Sequence, residues 1–231
     1  MKCVIFANGP LKQDTLTEEA IRQHDLVLAT DGGAVHCHSL GIKPDIVVGD
    51  MDSIPGWLLA LLRQQDVEVH TFPQRKDQTD LELAIDLAIE RGMEEITILG
   101  ALGERWDMSI ASIMLLATAR FAGIQMTLRA GSTALFCLRG PDLKQFAGCP
   151  GDRLSLIPIG SPVAGVTLQG LEYPLTNHLI PLGSTLGISN IVIGPQVALT
   201  IQEGILLCVI EKLGENASSA AMRKHDSDNF S

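Results

Sequence analysis

Two kinds of segment alternate along the first 130 residues of the chain. Runs rich in β-branched and other apolar residues predict strands at Cys3–Phe6, Leu26–Ala29, Ile46–Val48, Val67–Thr71, Ile96–Leu99 and Ile124–Leu128. Stretches with apolar residues at helical spacing separate the runs, at Thr15–His24, Pro55–Gln64, Thr79–Arg91 and Asp107–Phe121. This alternation predicts βαβ units, and therefore a Rossmann-like α/β domain in which helices cover a mostly parallel sheet. Thr79, with Glu82 three residues later, has the form of a capping box and marks the start of one helix.

The pattern changes after about residue 130. Between Thr133 and Lys212 no helical period of useful length appears, and Gly and Pro separate short apolar runs. These runs are Leu154–Ile159, Val163–Leu168, Asn190–Ile193, Val197–Ile201 and Ile205–Ile210. Turn residues at this density predict an antiparallel β-sandwich or barrel. We therefore expect an α/β domain over residues 1–135, a β-sandwich over 136–213, and a disordered polar tail over 214–231.

The net charge of the chain limits the classes of molecule that it is expected to bind. The 231 residues carry a formal net charge of −10, which disfavours a nucleic-acid or anionic-membrane partner, because both need a basic surface. An acidic enzyme that used a nucleotide would need a cation, most simply Mg²⁺. The five cysteines have no CxxC spacing, and the first apolar run is too short for a signal sequence or a membrane span. These features predict a cytoplasmic protein.

Acidic and glycine residues follow the ends of four predicted strands. The clusters are Asp31-Gly32-Gly33-Ala34, Gly49-Asp50-Met51-Asp52-Ser53, Lys76-Asp77-Gln78-Thr79-Asp80 and Gly100-Ala101-Leu102-Gly103-Glu104-Arg105-Trp106-Asp107. In an open α/β sheet, the loops that leave the carboxyl ends of the strands form one ligand-binding crevice. The sequence therefore predicts a site to which all four loops contribute.

Asp50 and Asp52 are the first candidates for metal ligands. Two residues apart in an extended segment, their side chains would point to the same side and repel each other without a cation. Hard oxygen ligands suit Mg²⁺. An isolated Asp-x-Asp sequence is more often a turn in which each Asp bonds the local backbone, but three further acidic loops at the same edge favour the metal.

The other loops leave two interpretations open. Asp77 and Asp80 lie at a helix start, where carboxylates serve as caps or as ligands. The glycine pairs allow either close approach of a phosphate or adenine, or tight turns. Arg105 has the guanidinium fork that matches phosphate oxygens, with Lys76 as a second cation. The histidines lack zinc-ligand spacing, and there is no nucleophile elbow or Walker A loop.

Taken in order, the four clusters resemble the catalytic domain of thiamine pyrophosphokinases. Two later segments, Gly170-Leu171-Glu172-Tyr173-Pro174-Leu175-Thr176-Asn177 and Gly187-Ile188-Ser189-Asn190, resemble the thiamine-binding domain of that family. The resemblance implies Mg²⁺, ATP and thiamine as ligands, release of AMP, and a homodimer with active sites at the subunit interface.

The resemblance also implies roles for individual residues. Metal and diphosphate binding would fall to Asp50, Asp52 and Asp80. The general base that accepts the hydroxyl proton would be either Asp80 or Asp77. The nucleotide side would comprise Asp31, Gly32, Gly33, Gly100, Gly103, Arg105 and Asp107. The substrate side would comprise Lys76, Tyr173, Asn177, Ser189 and Asn190.

Three positions depart from the family pattern. Glu104 stands where a glycine is usual, Met108 where a histidine is usual, and Ser112 where an asparagine is common. These departures leave two alternatives open: a pyrophosphokinase for another hydroxymethyl heterocycle such as a pterin, or a non-catalytic nucleotide-binding protein.

Overall fold

The computed structural model describes residues 1–22 and 24–213, which form two compact units, Met1–Gly131 and a second unit that begins at Ser132. The fold is mixed α/β. The predicted tail over 214–231 lies outside the described residues. Within the described ranges, no helix has both the length and the apolar character needed to span a membrane.

Six parallel strands form the sheet of the first unit. They are β1 (Lys2–Phe6), β2 (Leu26–Thr30), β3 (Ile46–Gly49), β4 (Glu68–Thr71), β5 (Glu95–Leu99) and β6 (Gln125–Ala130). Their order in the sheet is β4-β3-β2-β1-β5-β6, and every pairing between neighbours is parallel. Strands β1 and β3 are buried almost throughout, which explains their nearly continuous apolar sequences.

Five α-helices belong to the same unit. They are α1 (Thr15–Ile21), α2 (Gly33–Ser39), α3 (Gly56–Gln64), α4 (Asp80–Glu90) and α5 (Trp106–Ala117), followed by a 3-10 helix over Ala119–Phe121. Helix α4 packs over β1, β2 and β3. Sequence analysis did not predict α2, because Gly32-Gly33 reads as a turn and the helix has only seven residues. Helix α5 ends earlier than predicted, because Thr118 is extended.

The predicted capping signal lies at the start of α4. The Thr79 side chain accepts a hydrogen bond from the Glu82 backbone N–H at 3.2 Å and thereby satisfies one of the free donors of the first turn. The Glu82 carboxylate does not complete the box, since it pairs with Arg120 at 2.7 Å. The first half of the signal therefore sets the helix start.

The second unit is built from antiparallel strands. They are β7 (Thr133–Arg139), β8 (Asp142–Ala147), β9 (Arg153–Gln169), β10 (Leu175–Ile180), β11 (Asn190–Ile191), β12 (Gln196–Ile201) and β13 (Glu203–Glu211). The order is β7-β13-β9-β12-β8, and β10 and β11 also pair with β9. The first half of β9 pairs with β13 and its second half with β10 and β12, so one long strand replaces two predicted runs. Buried aliphatic residues, among them Leu154, Val166 and Leu199, form the core of this unit.

Two leucines on neighbouring strands of this unit give a test of its core. Leu199 is 0% exposed, whereas Leu143 is 55% exposed. We expect Leu199→Ala to lower the free energy of unfolding by about 3 kcal/mol, because it leaves a cavity. Leu143→Ala should stay within about 0.5 kcal/mol of the wild type. Urea denaturation measures both, and equal shifts would contradict the packing described.

Candidate active site

A cleft of about 480 Å³ opens at the carboxyl edge of the parallel sheet. It lies where the chain order reverses, between β1 and β5, which is the usual binding position in open α/β sheets. Loops after β1, β2, β3 and β5 line it, together with the starts of α4 and α5. Of the sequence-predicted residues, the lining includes Asp31, Asp50, Asp52, Asp80, Gly100, Gly103 and Arg105.

Three carboxylates converge in this cleft. One oxygen each of Asp31, Asp50 and Asp52 lies within 4.8 Å of the other two. Asp31 is buried, Asp50 is half-buried and Asp52 is exposed, so the group runs from the sheet edge to the surface. Like charges at this spacing repel each other unless protons, hydrogen bonds or a cation offset them.

The backbone at Met51 brings Asp50 and Asp52 together. Met51 has a φ of 67°, in the left-handed region, so the segment is a turn and the extended geometry expected from the sequence is wrong. The Asp52 N–H donates to Asp50 Oδ1 at 3.2 Å. The local Asp turn and the convergence of carboxylates, which sequence analysis treated as alternatives, are therefore both present.

Opposite environments act on Asp31 and Asp52. Burial raises the pKa of Asp31, although the Ser53 N–H donates to both of its oxygens at 3.2 Å. Hydrogen bonds from Ser53 Oγ (3.0 Å) and Gln74 Nε2 (2.9 Å) lower the pKa of Asp52. The pKa is therefore shifted in opposite directions at the two carboxyl groups, upward at Asp31 and downward at Asp52.

Asp80 adjoins the cluster at the start of α4. A Cβ built on Gly49 would lie 3.0 Å from Asp31 Cβ and 3.4 Å from Asp80 Cγ, so the glycine allows these two acids to approach. Lys76 Nζ lies 2.9 Å from Asp80 Oδ1, but outside hydrogen-bond geometry. This buried oxygen therefore has an ion-pair partner and, among the described residues, no hydrogen bond.

This donor set fits a hard divalent cation. Every candidate ligand is a carboxylate oxygen, as Mg²⁺ prefers, and Asp80 Oδ1 is a buried acceptor that lacks a hydrogen-bond donor. The pairing of Asp80 with Lys76 shows that a positive charge is already stabilised at this place.

The four glycines predicted to bind the nucleotide pack against the segment Phe6–Pro10 at the end of β1. A built Cβ would lie 2.0 Å from an atom of this segment at Gly32 and Gly33, 2.6 Å at Gly100 and 2.5 Å at Gly103. Side chains there would collide with the segment. Close packing therefore requires glycine at Gly33, Gly100 and Gly103, whereas the contact at Gly32 is with the movable Asn8 side chain. Gly32 and Gly33 are absent from the cleft lining.

Sequence analysis missed the loop that follows β1. Asn8, Gly9 and Pro10 line the cleft, and two hydrogen bonds fix the loop: Gly9 N–H to Gly100 O at 2.7 Å, and His36 Nε2 to Gly9 O at 2.8 Å. The loop carries no charged residue, and therefore it was not among the acidic clusters that predicted the site. An Asn-Gly-Pro sequence directly after a buried strand was the available signal.

Arg105 and Asp107 form an exposed bidentate ion pair at the start of α5. Arg105 Nε and one terminal nitrogen donate to the two Asp107 oxygens at 3.0 and 2.6 Å. These bonds lower the pKa of Asp107 to about 2 and raise that of Arg105. Arg105 lines the cleft, and Asp107 does not.

The three departures from the family pattern also line the cleft. Ser112 Oγ donates to Met108 O at 2.8 Å, so its hydroxyl is satisfied within the helix. Glu104 is exposed at the rim. Nearby, Ser109 Oγ donates to Gly103 O at 3.1 Å and accepts from Gly103 N–H at 3.0 Å, which fixes the preceding loop.

The remaining candidates are not among the residues that line the cleft. Asp77 and Lys76 belong to the loop before α4. In the second unit, the buried Asn190 holds the backbone of Tyr173 through both its amide atoms, at 3.0 and 2.7 Å, and the Tyr173 side chain is exposed. The backbone N–H groups of Asn177 and Ser189, both at positive φ, donate to hydroxyls of the neighbouring strand β9.

Parallel sheets bind ligands at their carboxyl edge, and grouped carboxylates suit Mg²⁺, which proteins usually bind together with substrate phosphates. Two family models match the chain: "Thiamin pyrophosphokinase, catalytic domain" over residues 17–128, and "Thiamin pyrophosphokinase, vitamin B1 binding domain" over residues 144–206. The thiamine pyrophosphokinase of Bacillus subtilis is 32% identical over 207 residues, covering 89% of this chain and 96% of that protein. The chain belongs to the thiamin pyrophosphokinase family.

Solved structures agree with this assignment. The crystal structure of thiamine pyrophosphokinase from Bacillus subtilis has a TM-score of 0.82 and 31% identity, and the match covers 93% of this chain and 100% of that one. The thiamin pyrophosphokinase from Geobacillus thermodenitrificans has a TM-score of 0.80 and 30% identity, with 93% and 99% covered.

A glycine substitution tests the contact between Gly33 and the β1 segment. We expect Gly33→Ala to lower the free energy of unfolding by about 3 kcal/mol, because its Cβ would overlap the Phe6 carbonyl oxygen. Gly123→Ala is the matched control, because a Cβ there meets nothing within 4 Å. Urea denaturation compares the two, and equal stability of both variants would exclude the contact.

Proposed function

We propose that this protein transfers the diphosphate group of ATP to the hydroxyl of thiamine and releases AMP. Membership of the thiamin pyrophosphokinase family supports this reaction. The observation that carries the proposal for these particular residues is the convergence of Asp31, Asp50 and Asp52 within 4.8 Å, beside Asp80.

Asp50 and Asp52 would hold Mg²⁺, with Asp80 or Asp31 as a further ligand. Bound Mg²⁺ supplies neutralisation of phosphate charge, which in-line phosphoryl chemistry needs more than covalent help from the protein. The thiamine hydroxyl attacks the β-phosphorus, an oxygen–phosphorus bond forms, and the bond to the AMP oxygen breaks. The protein's contribution is to hold both substrates in line and exclude water.

Asp80 is the better candidate for the group that accepts the hydroxyl proton. It lines the cleft and has a buried oxygen without a hydrogen bond, whereas Asp77 is exposed and lies outside the lining. Lys76, which pairs with Asp80, would stabilise a carboxylate there.

Arg105 would contact phosphate. Its guanidinium lines the cleft, and its partner Asp107 already holds it in a bidentate geometry that phosphate oxygens share. Because the ion pair is exposed, exchange of the carboxylate for phosphate costs little desolvation.

We also propose that the two units have different roles. The parallel unit would be the Rossmann-like catalytic domain, and the antiparallel unit a β-sandwich that binds thiamine through Tyr173 and its neighbours. Exposed apolar side chains in the second unit support a homodimer with active sites at the subunit interface: Leu179, Leu182, Leu186 and Ile188 are each at least 43% exposed. A cytoplasmic location is likewise proposed.

The direct test is an assay of purified protein with ATP, Mg²⁺ and thiamine. We expect thiamine diphosphate and AMP to appear in equal amounts, and hydroxymethyldihydropterin to give no product. MgATP binding without AMP formation in the presence of thiamine would refute the proposed reaction.

Substitution of a single carboxylate tests the metal assignment. We expect Asp52→Asn to reduce turnover by roughly a hundredfold or more, because even the outer partners of metal ligands typically contribute 10- to 100-fold. Its unfolding midpoint should stay near that of the wild type, because Asp52 is exposed. Asp66→Asn is the control, since Asp66 lies in an exposed turn at a φ of 56° that Asn tolerates. Wild-type turnover of Asp52→Asn at saturating Mg²⁺ would remove Asp52 from the metal site.

A further inference from the structure

Met51 separates the two carboxylates Asp50 and Asp52 and adopts an unusual backbone conformation. Its φ of 67° lies in the left-handed region, which glycine enters freely and a residue with a Cβ enters at a cost. A glycine would satisfy the turn, so the presence of methionine calls for a separate reason.

The side chain of Met51 supplies that reason. It is half-buried and packs against the apolar cluster of the first unit, which includes Val47, Ile54 and Leu58. The loop between β3 and α3 has a second apolar contact at Ile54, near its far end, but Met51 is the one that lies between the two carboxylates. A thioether side chain adapts well to such an irregular site.

The anchor and the turn act on the same two carboxylates. The left-handed turn directs Asp50 and Asp52 toward Asp31, and the Asp52 N–H holds Asp50 Oδ1 at 3.2 Å. Because the grouped carboxylates repel each other, a loop without its anchor would relax toward geometries that separate them. We infer that Met51 is a positioning residue that holds Asp50 and Asp52 in a cation-binding arrangement before the cation arrives.

This inference rests on the proposed metal site and predicts a separation of two measurements. Met51→Ala removes the anchor but keeps the Cβ in the left-handed turn, so it should lower both the unfolding midpoint and the affinity for metal. Met51→Gly removes the anchor and the Cβ together, so it should recover stability relative to Met51→Ala without recovering affinity. Met51→Leu keeps an apolar anchor and should bind metal as the wild type does.

The experiment uses Mn²⁺ as the probe, with free ion measured by electron paramagnetic resonance, Mg²⁺ as competitor and no nucleotide. We expect the Kd for Mn²⁺ to rise by about tenfold in both Met51→Ala and Met51→Gly, the lower end of the range for lost support of metal ligands. Urea denaturation of the same samples gives the stability of each variant. Leu59→Ala is the matched control, because Leu59 packs half-buried against the same cluster from helix α3, outside the loop that carries Asp50 and Asp52. It should lose stability and keep wild-type affinity.

The possible outcomes separate the inference from the proposal on which it rests. If affinity follows the unfolding midpoint across all variants, or if Met51→Gly binds Mn²⁺ as tightly as the wild type, Met51 has no positioning role. If the wild-type protein itself binds no Mn²⁺, the metal site of the proposed function fails, and this inference fails with it.

Discussion

The mutual repulsion of carboxylates crowded at one sheet edge is the constraint on which the site depends. Asp31, Asp50 and Asp52 present oxygens within 4.8 Å of one another, an arrangement that a folded chain keeps only if other interactions oppose the repulsion. Backbone and side-chain donors from Ser53 and Gln74 supply part of that opposition. A divalent cation held by these carboxylates, as proposed, would offset the repulsion that remains.

The sheet makes this crowding possible because its loops are packed to contact distance. Glycines at Gly33, Gly100 and Gly103 let two loops approach the end of β1 and the loop that follows it so closely that a Cβ would overlap them. The parallel strands bring their carboxyl ends to one edge, and these contacts then remove the freedom the loops would otherwise have. The glycines therefore act on function indirectly, through the rigidity of the cleft wall.

The strands of the parallel sheet could be predicted from their apolar runs, whereas helix α2 and the strands β7, β8 and β10 were not predicted. All six strands of the parallel sheet lie within about two residues of the predicted runs. Helix α2 was not predicted because two glycines stand at its start. Strand β8 was not predicted because its residues are mostly exposed and form no long apolar run. The rule that carboxyl ends share an edge predicted where the acids would gather. The turn at Met51 was beyond such reasoning, because a positive φ in a non-glycine residue depends on tertiary packing.

The departures at Glu104, Met108 and Ser112 bear on the same balance of charge. Ser112 satisfies its hydroxyl on its own helix and Met108 adds no charge, so neither leaves a polar group unpaired in the cleft. Glu104 adds a further negative charge at the rim of a cleft that already holds four carboxylates. In the proposed reaction, an anionic substrate would therefore meet a more repulsive entrance than with glycine there, and its binding would depend more strongly on the cation and on Arg105. The three departures change the charge at the cleft and leave the convergence of Asp31, Asp50 and Asp52 in place.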